Sequence, residues 1–578
     1  MKKVLLILLI IGSSSLLQAQ LEKSDLTIKN LQFNAEESFL QSNTDIYLAG
    51  ETIFYKVFNF VKNSKQISTT SKVAYVELIS PTEKTIFKHK HRLENGITHG
   101  DFFIPSNLKT NNYKLIAYTN WSKNNTNNAF YQQDIYIINP YIASSTNGSK
   151  INEDDSFVEI TKKSSINVTK IESNSFQLNT NKNKYSRREK VIISAKGINE
   201  TLTKGSYSLS VRRIDSIEVI GQLDSVSNYS ESELFYLPEL RGEIISGKIV
   251  PKISASTIPI NNIDLSLTIP GKDYIFKSAK TNMQGQFFFN LHENYSGDHA
   301  NIQILNQDRT NYNIVMDAFE FNHYQHLSFS KLKLNSKIKE WLKKKSIHSQ
   351  IENAYFSTKT DRSISRKAHK PFYHPIAKVY MLDDFTRFNT IRETFIEIIE
   401  DAAVIDANNN PEFKIINYGN TTTTNALTNL APLVLFDGLL IQDNEDIIAY
   451  SAKKIKSISV VAKPYVYGTK VYSGVISFKS KKENFNGLSK PDSFKDIDIL
   501  NPQDNKAYYQ PNYEKNTLLN RIPDYRNQLL WNPTITLNTN SQWEFYTSDN
   551  VGRYEVCLEG YTNTGKHILI KEYFDVEN

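Results

Sequence analysis

The stretch from Ala431 to Lys482 constrains this chain more than any other. An apolar run, Pro432 to Phe436, stops at Asp437-Gly438, a dipeptide that favours a tight turn. A polar stretch and a short amphipathic piece follow. Two strand-like runs then appear, Lys456 to Ala462 and Val471 to Lys479, separated by Tyr467-Gly468. The order strand, Asp-Gly turn, helical turn, strand, Tyr-Gly loop, strand is more informative than any one of its parts.

On Asp437-Gly438, Ile455 to Val460, Tyr467-Gly468 and Gly474-Val475-Ile476, this stretch resembles the plug domain of TonB-dependent outer-membrane receptors. The resemblance implies a plug-like module over residues 379–482, opening at Tyr380-Met381-Leu382-Asp383-Asp384-Phe385. Thr390 and Glu393 have capping-box spacing, and Ile391, Phe395, Ile398 and Ile399 form the apolar stripe of a short helix. A receptor plug is followed by a large barrel, each strand of which takes about ten alternating residues. Fewer than about 100 residues follow Lys482, without repeated alternation between aromatic girdles. The expectation is a plug-like module without a pore of its own.

The remainder reads as β-rich modules in series. In the first, expected over 21–143, Tyr47 to Glu51 runs into Ile53 to Phe58. Val73 to Ile79 alternates, Gly100 to Pro105 follows, and Tyr113 to Trp121 closes the set. These residues resemble macroglobulin-type (MG) domains of bacterial envelope proteins. A polar stretch, Ser144 to Ser164, reads as a linker. Tyr185 to Ile193 and Gly205 to Arg213 then suggest a second MG-like sandwich over 165–235. Residues 241–330, with Arg241 to Ile249 and Thr281 to Phe289, resemble the carboxypeptidase-regulatory-like sandwich, which implies no peptidase chemistry. Residues 331–378 read as a basic helical connector, with Ile338, Trp341 and Leu342 on one face among five lysines. A solvated face with Trp341 docked on a neighbour is favoured over contact with anionic lipid. Residues 510–578 read as one more small β unit, whose Trp531-Asn532-Pro533 and Glu559-Gly560-Tyr561 resemble endings found in related Bacteroidetes proteins. The fold class expected is mainly β, serial β-sandwich domains followed by a small α+β plug-like domain.

Residues 1–20 have two lysines, an apolar run and a small-residue exit, the pattern of a secretory signal peptide, and no Cys follows to accept a lipid. No later stretch approaches 18 uninterrupted apolar residues, so no transmembrane helix is expected. The net charge of +7 is small for 578 residues and mixed in sign along the chain, which argues against nucleic acid as a partner.

Chemical motifs are sparse. His89 and His91 alternate, His323 and His326 are three apart, and none belongs to an HExxH set, so no metal site is expected. There is no G-x-S-x-G elbow, Walker loop or dinucleotide fingerprint, and no cofactor is expected. Cys557, the single cysteine, is followed by Leu-Glu-Gly-Tyr and lacks the nearby Gln of a macroglobulin thioester. These readings point to a non-enzymatic, exported, outer-membrane-associated accessory or scaffold that docks with a β-barrel transport or assembly complex. Its motif residues are Asp437, Gly438, Tyr467, Gly468, Gly474, Val475 and Ile476, and Tyr118, Trp121 and Tyr465 are candidate interface anchors, with a place in the core as the equal alternative. A surface adhesin for glycan or peptide, favoured by aromatics clustered on one rim, and a protease-interacting macroglobulin relative are the alternatives.

Overall fold

The computed structural model describes residues 34–125, 130–142, 176–214, 235–253, 258–305, 308–317, 324, 327–329, 339–364, 370–407, 410–416, 430–485 and 493–578. The expected signal peptide, the 144–164 linker, Ile338, His323 and His326 lie outside them. The protein is mainly β, with serial sandwich-like sheets. The chain divides into two compact units, one holding Arg241–Glu320 and Arg366–Pro502, the other Gln32–Leu240, Phe321–Ser365 and Gln503–Asn578.

The second of these units contains two sandwiches. In the first, a three-stranded sheet built on Thr52–Val61 faces a five-stranded sheet that includes Val73–Ile79, Asn111–Tyr118 and Tyr131–Ile138. Leu40, Ile53, Tyr55, Val57, Val76, Leu115 and Ile137 fill the space between them. These are the alternating positions that the pleat turns to one side.

The other sandwich corrects the expected domain plan. Gly205–Arg213 pairs along its whole length with Gly552–Thr562, and on its other side with Gln528–Ile535. Lys190–Lys196 pairs with Gln542–Tyr546. The tail expected as a separate unit over 510–578 therefore completes the sandwich expected over 165–235. The physical reason is core size: Val191, Ile193, Leu209 and Val211 bury only when Leu530, Val556, Leu558 and Phe574 close over them. The long closed loop costs little extra, because closure entropy grows only logarithmically with length.

In the other unit, strands Glu243–Pro251, Gln286–Leu291 and Tyr312–Met316 form one sheet of a small sandwich. Its other sheet is Ile275–Lys280, Asp264–Ile269, His299–Ile304 and Phe494–Asp498. Phe287 and Phe289 point into its core, as their spacing of two requires. The last strand, Phe494–Asp498, comes from beyond the plug-like stretch and pairs with His299–Ile304.

The plug-like stretch forms a five-stranded sheet in the order Lys378–Met381, Ile455–Val461, Val475–Ser480, Leu433–Phe436, Leu439–Leu440. Both faces of its inner strands are buried. Val434, Phe436, Val460, Ile476 and Phe478 pack with Ile391 and Phe395 of helix Ile391–Glu397. The alternate set, Leu433, Leu435, Val461 and Val475, packs with Phe276 and Tyr373. The helix starts at a complete capping box, in which Thr390 accepts from the Glu393 backbone and Glu393 reaches back to that of Thr390.

Candidate functional site

The plug-like motif residues are turn formers and points of close approach. Phe436 pairs with Leu439 across Asp437-Gly438, whose φ values of 46° and 87° make a two-residue turn with both central residues left-handed. The Asp437 carboxylate is buried. It accepts from the Ser480 amide at 2.8 Å, the Ser480 hydroxyl at 2.6 Å and the Phe485 amide at 3.0 Å. It thereby ties the turn to the end of the neighbouring strand Val475–Ser480. A Cβ on Gly438 would stand 2.2 Å from Tyr274, and one on Gly468 would stand 1.8 Å from Ser278 Oγ. Gly474 is similarly closed, by the Val461 carbonyl at 2.2 Å. Tyr467 donates its hydroxyl to the Phe276 carbonyl. Val475 and Ile476 bury on opposite faces of the sheet.

The interface anchors fare differently. Tyr118 is wholly buried and donates to Glu77, and Trp121 is buried with its indole N–H on the Asn34 carbonyl at 3.0 Å. Neither is among the residues between the two sheets: Tyr118 packs with Tyr75 and Ile116 under Tyr324, Leu327 and Phe329, and both take the core alternative rather than offering an exposed anchor. Tyr465 is half-buried, with its hydroxyl on the Phe372 carbonyl at 3.0 Å. The apolar surface of this module lies elsewhere. Strand Lys378–Met381 is last in its sheet, and Val379 and Met381 are 55% and 37% exposed. Ile376 and Phe385, on either side of it in the chain, are exposed too.

A cleft of about 240 Å³ lies in the unit that holds the two large sandwiches. One wall is helix Lys339–Ala354, and its buried stripe is polar: Lys345, Ser346, His348 and Ser349. The expected solvated basic face holds for Lys339, Lys343 and Lys344, and Lys345 is the exception. The lysines that lack a partner wall are exposed, whereas Lys345 packs its ammonium 3.3 Å from Glu51 and 5.0 Å from the Trp341 ring centre. His348 stacks on Tyr525 with ring centres 4.4 Å apart. Burial, with Lys344 and Arg213 nearby, lowers its pKa to about 4, so the ring is neutral near pH 7.

A second set of ion pairs closes the cleft floor. Glu352 holds Lys359 with both oxygens, at 2.8 and 2.7 Å, and accepts the Tyr525 amide. Burial and the neighbouring Asp524 raise the Glu352 pKa, against the pull of Lys359. Asp524 grips Arg526 at 2.7 and 2.8 Å. Burial works to raise the Asp524 pKa, but Arg526, the Tyr513 hydroxyl and Lys359 outweigh it and hold the value to about 2. Above these pairs stand aromatics: Phe54 meets Tyr508 edge-on at 5.0 Å and lies 5.9 Å from Trp531. At the rim, Phe103 and Phe356 are 46% and 62% exposed with ring centres 6.5 Å apart. No spacing rule in the sequence joins these residues. Only the exposed character of the two phenylalanines stands out, and that needs the fold.

Other reactive groups are held structurally. The Tyr55 hydroxyl lies 2.8 Å from both His89 Nδ1 and His91 Nε2. Among the described residues, no group of three or more His, Cys, Asp or Glu side chains is placed to hold a metal ion. Burial pushes the Cys557 thiol up to about 12. No helix among the described residues is long and apolar enough to cross a membrane.

No family model and no curated protein matches the sequence. Solved structures with partial overlap include an Escherichia coli alpha-2-macroglobulin activated by porcine elastase (TM-score 0.23, 9% identity, 94% of this chain and 44% of that one). A Salmonella alpha-2-macroglobulin reacted with methylamine gives 0.22, 8%, 95% and 41%. Dimeric latent PorU from Porphyromonas gingivalis gives 0.16, 8%, 50% and 34%. The chain spans under half the length of these proteins. Superpositions at such scores carry no argument about role, and the sandwich character of this chain rests on its own strand pairing.

Proposed function

We propose that the protein is a non-enzymatic scaffold, exported to the outer membrane, that docks with a β-barrel protein of a transport or assembly complex. The observation that carries this reading is the plug-like module itself. Residues 379–482 fold around their own core, with the Asp437-Gly438 turn anchored by a buried carboxylate. The module's outermost strand exposes Val379 and Met381 beside Ile376 and Phe385. Natural sheets usually protect an open edge with charge, a bulge or a covering segment; here Lys378, paired with Glu400, supplies one charge, and Val379 and Met381 beside it leave an apolar patch of the kind that meets a partner. The experiment is native purification of the tagged protein from gently solubilised outer membranes. Co-purification of a β-barrel protein, reduced by Val379→Lys with Met381→Lys, supports the proposal. Recovery solely as a free monomer sinks it.

The rim aromatics of the cleft favour a second reading, an adhesin-like binding role for the sandwiches. The two readings concern different residues and are compatible.

A further inference from the structure

The docking reading makes no use of the cleft beneath Phe103 and Phe356. We propose that this cleft recognises an extended polypeptide segment, seating one bulky apolar or aromatic side chain in the cavity. The inference goes beyond the docking reading and rests on none of its residues.

Four observations converge. The first is size: about 240 Å³ is below the roughly 300 Å³ at which pockets begin to enclose a whole small-molecule ligand, and it suits a single large side chain. Composition is the second. The walls present Tyr508, Tyr525, Trp531, Arg212 and Arg213, the residue types that carry most of the energy where proteins meet. Charge is the third. The wall cations Lys345 and Lys359 are neutralised by Glu51 and Glu352, and Arg526 by Asp524. An ionic ligand would gain little against these satisfied pairs, whereas an apolar anchor gains the full value of leaving water.

The fourth observation separates a peptide from a sugar. Strand Ile46–Leu48 and strand Gln528–Ile535 each stand last in their sheets, and both contribute lining residues. Peptides pair with such edges through their backbone, and a sugar has no strand to add. Arg526 and Gln528 already occupy the Leu529 and Leu530 carbonyls, Glu51 takes both the amide and the carbonyl of Leu48, and Thr44 accepts from the Ile46 amide. The backbone contribution is therefore a few bonds, and the seated side chain supplies the selectivity. Phe103 and Phe356, exposed at the rim, close over that side chain.

The test is selection of a displayed random-peptide library on the immobilised full-length protein, followed by affinity measurement with single synthetic peptides. Enriched peptides are expected to share one bulky apolar residue. The double variant Phe103→Ala, Phe356→Ala is expected to bind them about tenfold more weakly or worse. Because both rings are largely exposed, the variant should keep the wild-type Tm, which separates lost binding from lost folding. Failure to enrich any peptide overturns the proposal. So does equal affinity of the double variant, or rim-dependent binding confined to an oligosaccharide array. None of these failures alters the outcome of the outer-membrane purification, so the two ideas fall separately.

Discussion

Replacing Asp437 by Ala tests how the plug-like module is held. The carboxylate accepts three hydrogen bonds, two of them from the backbone amides of Ser480 and Phe485, in a site that is 4% exposed. Alanine leaves those two N–H groups buried without an acceptor, at about 1–3 kcal/mol each. It must also adopt the left-handed φ of 46°, which costs about 1 kcal/mol more than for Asp. The sum is about 3–7 kcal/mol, a large share of the roughly 5–15 kcal/mol that holds a typical domain. Asp437→Asn keeps tolerance for the left-handed conformation and one acceptor oxygen, so about half that loss is expected. A multi-domain chain does not unfold in one step. The assay is therefore hydrogen exchange of peptides covering 430–485, which reads the opening energy of this module alone. Protection in Asp437→Ala within about 0.5 kcal/mol of wild type would refute the reasoning, because orphaned buried amides cannot be that cheap.

Asp524 has a folded pKa of about 2, below the usual carboxylate value near 4. Its contribution is thus present above about pH 4 and lost as pH falls toward 2. Acid unfolding of the cleft region, followed by hydrogen exchange, should weaken by about 2 kcal/mol over that window, and Asp524→Asn should flatten it while costing about 3–5 kcal/mol at pH 7 by stranding Arg526 and Lys359. Gly438→Ala should destabilise the plug-like module by more than about 1 kcal/mol, measured by the same exchange assay, since its φ is 87° and its Cβ would meet Tyr274 at 2.2 Å. With its thiol pushed up to about 12 by burial, Cys557 should resist iodoacetamide at pH 8 in the folded protein and react readily in denaturant, as peptide mass spectrometry would show.

What could be read before folding was whatever acts over a few residues. Asp437-Gly438 makes its turn because only special φ values join those strands, and Thr390 caps its helix because Glu393 is one turn away. The run Leu433–Phe436 is apolar at every position, and the structure buries it on both faces of its sheet. Illegible were the features made by distant partners. Leu209 gives no sign that Leu558 is its cross-strand mate. The sequence leaves Tyr118 and Trp121 open between interface and core, because a hydroxyl or indole N–H suits either, and it is Glu77 and the Asn34 carbonyl, distant in the chain, that satisfy those groups in buried positions. The helix Lys339–Ala354 buries lysine and serine, which no apolar stripe announces, because Glu51 supplies the compensation from far along the chain.

The central claim is that the plug-like module finds its partner through its open strand. A photo-crosslinking amino acid placed at Val379, with a second protein carrying it at exposed Met283 as the control, tests this in intact cells. The account predicts a specific adduct from position 379 to one outer-membrane β-barrel protein and none from position 283. An unmodified monomer from position 379, with the protein present in the outer-membrane fraction, would contradict it.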